Sequence, residues 1–177
     1  FDYWIGDDHS TALCRTVVDA LKRHTHNGNN VYLLPGNRDF LVGERFSEAT
    51  GVLLLSDSVV DIQGTATLLM HGDALCTDDT DYQAFRAESR TPQWQQAFLA
   101  LPIAERDRRA RELRALSAET TSLKPEAITD VNADAVNQIM RQTGNSRLIH
   151  GHTHRPGIHR WVDEGIARER YVLDEWS

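Results

Sequence analysis

Apolar residues follow a helical period near the start of the chain and form strand-like runs at three later places. The helical pattern predicts an amphipathic helix over about 11–24, with Ser10 as its N-cap. Its apolar face consists of Leu13, Val17, Ala20 and Leu21. The turn-forming stretch Asn27–Asn30 predicts where this helix ends.

Three short apolar runs predict buried strands, and each opens into polar residues suited to chemistry. The runs are Val31–Leu34, Thr65–Met70 and Ser146–Ile149. The residues that follow them are Asn37 and Arg38 after Pro35-Gly36, then His71-Gly72-Asp73, and then His150-Gly151-His152-Thr153-His154. Ligands of open α/β sheets bind beyond the carboxyl ends of the strands. The sequence therefore predicts an α/β fold with a functional site at these strand ends.

The long stretch between the second and third runs, roughly 79–143, predicts several helices and little strand, as in an inserted helical cap. Within it the apolar segment Trp94–Leu101 precedes an arginine-rich helix, and Pro125 is placed to open a further helix at its first turn. The arginines are Arg106, Arg108, Arg109, Arg111 and Arg114. No repeat, linker or low-complexity tract divides the chain, so a single domain over 1–177 is predicted.

Composition narrows the class of protein. The net charge of -7 disfavours general binding to nucleic acid through overall charge. No apolar run approaches the roughly 20 residues that a bilayer span requires. Cys14 and Cys76 lack metal-type spacing and are predicted to be reduced thiols, which favours the cytoplasm. The sequence indicates no protein partner.

The polar residues at the strand ends include several metal-binding types. Imidazole nitrogens together with amide oxygens suit Mn, Fe or Zn better than Ca or Mg. His152 and His154 alternate along a loop and can face two neighbouring ions if that loop is extended. Taken alone, His71 is an ordinary loop residue and Asn37 an ordinary turn residue, but together they predict a metal centre. The histidines predicted to be plain surface residues are His24, His26 and His159.

The motifs GNRD at Gly36, HGD at His71 and GHTH at Gly151 resemble, in this order, the calcineurin-like metallophosphoesterase superfamily. More narrowly, the chain is similar to the UDP-2,3-diacylglucosamine hydrolases of lipid A biosynthesis in WIGDD, GNRDFLVGERF, HGDALCTDDTDYQAFR, DVN at Asp130 and LIHGHTHRP. The resemblance implies a two-sheet α/β sandwich flanked by helices, with a helical cap and two Mn²⁺ ions. The implied reaction is hydrolysis of the diphosphate of UDP-2,3-diacylglucosamine to UMP and 2,3-diacylglucosamine 1-phosphate.

The family's functional residues are assigned to this chain by the same motifs. Asn37, His71 and His152 would bind one metal and His154 the other. Asn37, Arg38 and His152 would act at the substrate phosphates as catalytic and substrate-binding residues. The substrate contacts implied in the cap are Asp79, Ser117, Thr121 and Lys124. The family usually has Asn at the position of Thr121, and the residues alone favour an ordinary solvated helix surface for Ser117 and Lys124.

Arg38 bears on the class of substrate. The wider superfamily places a histidine here that protonates a departing alkoxide, whereas arginine stays charged and holds phosphate oxygens with its planar fork. A phosphate leaving group, with its second pKa near 6, departs near neutral pH without a general acid. Arg38 therefore favours a diphosphate substrate.

The resemblance also concerns the ends of the chain. It places an Asp-x-His strand and a bridging Gly-Asp before Phe1, so the first strands and most ligands of the second metal are expected to be missing. Asp2, Asp7 and Asp8 lie beyond the bridging position. Asp174 stands where the family usually has Gly, and closing strands are expected to be absent. Weak or no activity is therefore expected of this chain.

Two other functions remain open. One is another metallophosphoesterase, such as a nucleotide or phosphoprotein phosphatase. The other is a non-catalytic relative that binds metal or lipid. For the lipid-processing enzyme, the expected location is the cytoplasm, peripheral on the inner membrane. Trp94–Leu101 is then expected to line a groove for acyl chains, and the arginine-rich helix either attracts the membrane surface or is a plain solvated face.

Overall fold

Strands and helices follow one another in a mixed α/β arrangement. The structure is a computed structural model that describes residues 2–175, apart from the side chains of 118, 121–123, 126 and 127. The helices are α1 Ala12–His26, α2 Glu44–Thr50, α3 Thr80–Ser89, α4 Pro92–Leu99, α5 Ile103–Leu123, α6 Glu126–Thr129 and α7 Ala133–Thr143. The strands are β1 Tyr32–Leu33, β2 Leu53–Leu54, β3 Ser58–Ile62, β4 Thr65–Met70, β5 Arg147–His150, β6 Gly157–Asp163 and β7 Ile166–Val172.

The chain divides into two compact units. The first contains the residues up to Leu55 together with Phe85–Leu123, and the second contains Ser56–Ala84 together with the residues from Lys124 onward. Each unit has its own hydrophobic core. This division reflects how contacts are distributed and does not test the single domain predicted over 1–177.

The first unit is mainly helical and contains a short parallel pair, β1 with β2. Its core consists of Trp4, Ile5, Cys14, Leu41, Val42, Phe46, Val52 and Phe98. The predicted first helix is confirmed as α1, but its N-cap is Thr11 and not Ser10. The hydroxyl of Thr11 accepts a hydrogen bond from the backbone N–H of Cys14 at 3.1 Å, which satisfies one of the free donors of the first turn.

The predicted strand Val31–Leu34 is shorter and less buried than expected. Only Tyr32 and Leu33 form β1, and Tyr32 is 56% exposed. Successive side chains of a strand point to opposite faces, so Leu33 packs against the core of the first unit while Tyr32 faces away from it. The prediction of a buried strand was wrong here.

The second unit is built on a five-stranded sheet with the order β3-β4-β5-β7-β6. The three central strands β4, β5 and β7 are parallel, and Met70, His150 and Val172 lie side by side at their carboxyl ends. Helix α7 packs on this sheet, where Val136 and Met140 share a core with residues of β4 and β5. Parallel neighbours bring the ends of β4 and β5 to one edge, which is the arrangement the sequence predicted for these two strands.

Two hairpins complete the sheet, and the sequence analysis did not predict β3, β6 or β7. Their tips are Gln63-Gly64 and Glu164-Gly165, and all four residues have positive φ. Such two-residue turns suit the twist of antiparallel strands. The strands were missed because polar and charged residues interrupt their apolar ones, so no continuous apolar run marks them.

The stretch predicted to be a helical cap is helical, with α3–α7 between 79 and 143. Pro92 occupies the first turn of α4, and Pro125 immediately precedes α6, as a proline at a helix start should. The arginine-rich segment lies in the N-terminal part of α5.

Candidate active site

The loops after β4 and β5 are joined at their first residues. Met70 pairs with His150 in register, so His71 and Gly151 are the next residues of two parallel neighbours. The backbone N–H of Gly151 donates to the carbonyl oxygen of His71 at 3.0 Å. The sequence prediction that these strand ends meet is therefore confirmed for the second and third runs.

His71 and His152 lie close together in this pair of loops. Their ring centroids are 5.0 Å apart and the ring planes meet at 65°. Both side chains are half-buried. Two imidazoles at this separation, partly shielded from solvent, are a plausible part of a transition-metal ligand set.

The histidine loop has an unusual backbone. His152 has φ of 67° and His154 has φ of 52°, in the left-handed region that non-glycine residues seldom adopt. Such residues typically raise the local free energy by about 1–3 kcal/mol and occur where a site requires them. The ring of His154 is exposed, with Nδ1 3.3 Å from a carboxylate oxygen of Glu175. Its assignment to the second metal stays a prediction.

His150 lies directly beneath this loop and is almost fully buried, at 1% exposure. Burial lowers its pKa to about 4, so the imidazole is neutral at neutral pH. Its Nδ1 lies 2.9 Å from the carbonyl oxygen of Gly151 and therefore carries the proton. Gly72, with φ of 111°, passes so close that an added Cβ would lie 2.7 Å from this nitrogen. The two loops are thus packed with no room for a side chain at position 72.

Tyr82 and Asp73 belong to the same cluster and were not selected from the sequence as site residues. The Tyr82 hydroxyl donates to Oδ2 of the buried Asp73 at 2.7 Å. The Tyr82 ring stacks near that of His152, with centroids 5.8 Å apart. Asp73 is in the HGD motif, and Tyr82 lies in the longer segment HGDALCTDDTDYQAFR that carries the resemblance. Spacing alone does not pair the two residues, because it is the fold of α3 that brings Tyr82 back to Asp73.

Asn37 and Arg38 lie in the first unit, in a turn after β1. Asp39 accepts a hydrogen bond from the backbone N–H of Gly36 at 2.5 Å, and the carbonyl oxygen of Gly36 accepts one from Arg90 at 3.0 Å. The carbonyl oxygen of Arg38 accepts from the N–H of Trp4 at 2.8 Å. The turn is therefore fixed on both sides, while the Arg38 side chain is exposed.

Among the predicted substrate contacts of the cap, Asp79 and Lys124 are brought together. Lys124 Nζ lies 2.5 Å from Oδ1 of Asp79, and both side chains are largely buried. Ser117 is exposed on α5 in the first unit. The side chain of Thr121 lies outside the described residues, so its prediction is untouched.

The acidic residues near the start of the chain form hydrogen bonds and ion pairs within the protein. Asp7 accepts from Trp4 Nε1 at 2.9 Å and from two backbone N–H groups at the start of α2. Asp8 pairs with Arg106, which holds the pKa of that carboxyl below its usual value. Asp2 pairs with Arg114. The exclusion of these three aspartates from the ligand set stays a prediction.

An apolar groove of about 580 Å³ lies in the first unit between α4 and α5. Its apolar wall consists of Phe85, Trp94, Phe98, Leu101, Leu113 and Leu116. Trp94 and Phe98 are stacked with centroids 5.0 Å apart. Arg109 and Glu112 of α5 also line the groove. An apolar surface at Trp94–Leu101, predicted from the sequence, is therefore present.

The arginines of α5 are paired mainly with acidic residues of the same helix. Arg108 and Arg109 contact Glu105 at 2.7 Å and 2.6 Å, and Arg111 pairs with Asp107. These pairs hold the pKa of Glu105 near 2. Solvent-exposed pairs of this kind neutralise one another, which favours the solvated-face interpretation of this helix.

Comparison with known proteins identifies the family. The family model described as calcineurin-like phosphoesterase matches residues 1–156. This chain belongs to the calcineurin-like phosphoesterase family. A UDP-2,3-diacylglucosamine hydrolase of Chromohalobacter salexigens is 48% identical over 99% of this chain and 72% of its own length.

Two further relatives of this phosphoesterase carry the same name. They come from Nitrosococcus oceani and Cellvibrio japonicus and are 48% and 45% identical, over 100% and 99% of this chain and 71% and 74% of their own lengths. A solved structure of a Vps29 single mutant from Entamoeba histolytica aligns over 96% of this chain and 69% of its own, at 14% identity and a TM-score of 0.35. That likeness is too low to support an argument.

Family membership implies the use of divalent metal ions, and the donor chemistry fits this use. His71 and His152 provide neighbouring imidazoles in the second unit, a type of ligand that suits such ions. Within residues 2–175, no three or more His, Cys, Asp or Glu side chains are grouped so as to hold one ion. In the described residues, the phosphoesterase therefore has two neighbouring histidines that can serve as metal ligands, without a third His, Cys, Asp or Glu grouped with them.

Proposed function

We propose that this phosphoesterase hydrolyses the diphosphate of UDP-2,3-diacylglucosamine, releasing UMP and 2,3-diacylglucosamine 1-phosphate. The observation that carries the proposal is the set of relatives with this activity in their name, which are 45–48% identical over 99–100% of the chain. Identity at this level over almost the whole chain is the reason to expect the relatives' chemistry here.

Asn37, Arg38 and His152 would act at the substrate phosphates. Arg38 remains a cation at any relevant pH and is exposed, so its guanidinium is available to two phosphate oxygens. It cannot serve as a practical proton donor. A leaving group that is itself a phosphate needs none, because it departs as an anion. This favours the diphosphate substrate over phosphoprotein or simple alkyl esters.

Metal binding by Asn37, His71, His152 and His154 is the second part of the proposal. The first three would bind one ion and His154 its neighbour, with Mn²⁺ as the metal of both sites. Such ions, when bound, supply an activated water and neutralise charge on phosphate oxygens. The chain's own contribution is to hold the rings of His71 and His152 at two adjoining strand ends, with their centroids 5.0 Å apart.

The groove between α4 and α5 supports a substrate with acyl chains. Its volume of about 580 Å³ falls in the ordinary range of about 300–1,000 Å³ for ligand pockets, and its lining is aromatic and aliphatic. Asp79, Ser117, Thr121 and Lys124 would contact the nucleotide-sugar part. Lys124 is already neutralised by Asp79 at 2.5 Å, so this pair would bind through hydrogen bonds more than through net charge.

A peripheral position on the cytoplasmic face of the inner membrane is proposed as well. Helices α4 and α5 carry exposed apolar side chains, namely Leu99, Ile103, Leu113 and Leu116. They would contact the lipid surface from which a diacylated substrate is drawn. In the described part of the chain, no helix is both long and apolar enough to span a bilayer. The substrate is the proposed partner, with no nucleic acid and no further protein.

Release of UMP from UDP-2,3-diacylglucosamine tests the proposal. The assay uses Mn²⁺ with the 177-residue chain and with a version that carries the additional length of the relatives, and EDTA serves as the metal-free control. UMP release that depends on Mn²⁺ in either version is the expected result. If both versions leave this substrate intact but cleave a nucleotide monoester or a phosphopeptide, the substrate assignment is wrong.

A further inference from the structure

The histidine loop, residues 151–155, has a strained backbone at two positions. His152 and His154 both have positive φ. The backbone bonds at its start are Gly151 N–H to His71 at 3.0 Å and Thr153 N–H to Gly151 at 2.8 Å. A strained segment persists only where its surroundings determine it. Ring contacts of His152 and His154 add to these two bonds, and the far end of the loop has a second attachment through the residue that follows His154.

Arg155 provides that second attachment. Its Nη1 lies 3.2 Å from Oδ2 of Asp130, and its Nη2 donates to the hydroxyl of Thr129 at 3.0 Å. The planar guanidinium thus contacts two consecutive residues with two nitrogens, a geometry that lysine cannot reproduce. Arg155 follows directly on His154 and precedes Pro156, so holding its side chain limits the backbone of the loop.

The segment that receives Arg155 is itself anchored. The backbone N–H of Asn132 donates to Leu75 at 2.8 Å, and Asn132 Nδ2 donates to the carboxylate of Asp78 at 3.0 Å. The same side chain caps α7 by accepting from the N–H groups of Asp134 and Ala135. Thr129–Asn132 is therefore tied both to α7 and to the loop that follows His71.

We infer that Asp130 and Arg155 are positioning residues that hold the histidine loop in its strained conformation, and so set the geometry of His152 and His154 as ligands. The inference rests on the proposed metal role of these two histidines. The DVN motif at Asp130 would then act through the loop and not on substrate. An outer support of this kind usually changes metal affinity or activity by about 10–100-fold.

Arg155→Ala is the decisive variant, because Asp130 also interacts with Arg170 and its replacement would disturb two arginines. The expected result is about a 10-fold weaker affinity for Mn²⁺ alone, measured by the electron paramagnetic resonance signal of free Mn²⁺. Arg155→Lys should recover part of the loss, since it can pair with Asp130 but cannot also bridge to Thr129. Arg160→Ala is the matched control, because Arg160 is exposed on β6 and lies 3.8 Å from Glu169.

Hydrogen exchange of a peptide covering 147–156, without metal, is the second readout. Arg155→Ala should speed exchange there about 10-fold, while the urea midpoint stays near that of the parent, since a partly exposed ion pair contributes little to stability. Unchanged exchange in this peptide overturns the inference, as does unchanged Mn²⁺ affinity in a parent that binds Mn²⁺. Faster exchange in this peptide, with no UMP release by either the 177-residue chain or the longer version, would support the inference and count against the proposed function instead.

Discussion

The histidine loop and helix α5 are the two regions richest in functional side chains, and they differ in how those side chains are held. The loop has a left-handed backbone at two histidines and lies on the buried His150. Helix α5 has many more charges, but most are exposed and paired with neighbours one turn away. Charge density alone would point to the helix as the functional site, whereas backbone strain and burial point to the loop.

The difference has a physical basis. Exposed ion pairs form readily on any helix with oppositely charged residues three or four apart and are screened by solvent. A left-handed non-glycine residue or a buried neutral histidine is unfavourable unless other contacts support it. Features that are unfavourable by themselves and yet present are therefore better markers of a functional site than favourable ones.

The largest expected effect comes from replacing a predicted ligand in the loop. His152→Ala should lower kcat/KM for UMP release by at least about 100-fold, because loss of outer-shell support alone typically changes activity 10–100-fold. His159→Ala is the control, since His159 is exposed on β6. Equal activity of the two variants would remove the distinction between the loop and an ordinary surface histidine.

Gly72→Ala tests the packing of the two loops. Its Cβ would lie 2.7 Å from His150 Nδ1 and 3.1 Å from the carbonyl oxygen of Gly151, at φ of 111°. The free energy of unfolding is expected to fall by about 3 kcal/mol, from backbone strain and steric overlap together.

Gly64→Ala is the matched control, measured alongside it by urea denaturation. Gly64 also has positive φ, at 78°, but an added Cβ there meets nothing within 4 Å. Strain alone should lower stability by about 1 kcal/mol. If the two variants lose the same amount, the close approach of the loops plays no part in stability.

The reactivity of the Cys76 thiol tests how well the region near the loop after β4 is shielded from solvent. Burial raises its pKa to about 12, the nearby Asp130 acting in the same direction. In a Cys14→Ser background, reaction with a disulfide reagent at pH 8 should be roughly 1,000-fold slower in the native protein than in denaturant, because only the thiolate reacts. Comparable rates in the two states would show that this region is open to solvent.

The raised pKa of Cys76 also predicts a pH dependence of the free energy of unfolding. Above about pH 9 the unfolded thiol loses its proton while the native thiol keeps it, so the unfolded state binds fewer protons. This contribution is fully present below pH 9 and is lost as pH rises towards 12. Cys76→Ser should therefore show a smaller loss of unfolding free energy than the parent between pH 9 and pH 11.

The smallest effect is expected on α5. Arg108→Ala removes contacts to Glu105 and Glu112 that are open to solvent. The urea midpoint should not change measurably at 0.15 M salt, since such pairs are screened. A clear loss of stability would mean that this helix depends on its ion pairs and would weaken the contrast with the loop.

The sequence predicted the parts of the site that depend on neighbouring residues. Runs such as Thr65–Met70 mark strands because a buried strand must be apolar, and the polar residues after them mark strand ends. The same reasoning failed for β6 and β7, whose exposed residues leave no apolar run. It also misjudged β1, because burial depends on what covers a strand and not on its composition.

What the sequence determined by itself was the family, the α/β class, the helical stretch at 79–143 and the identities of His71 and His152. Only the tertiary structure decided which residues support them. It placed Tyr82 against Asp73, His150 beneath the loop and Arg155 against Asp130. These contacts join separate elements such as β5, α3 and the segment before α7. Pairing across such distances follows from strand order and packing, which no local pattern of residues specifies.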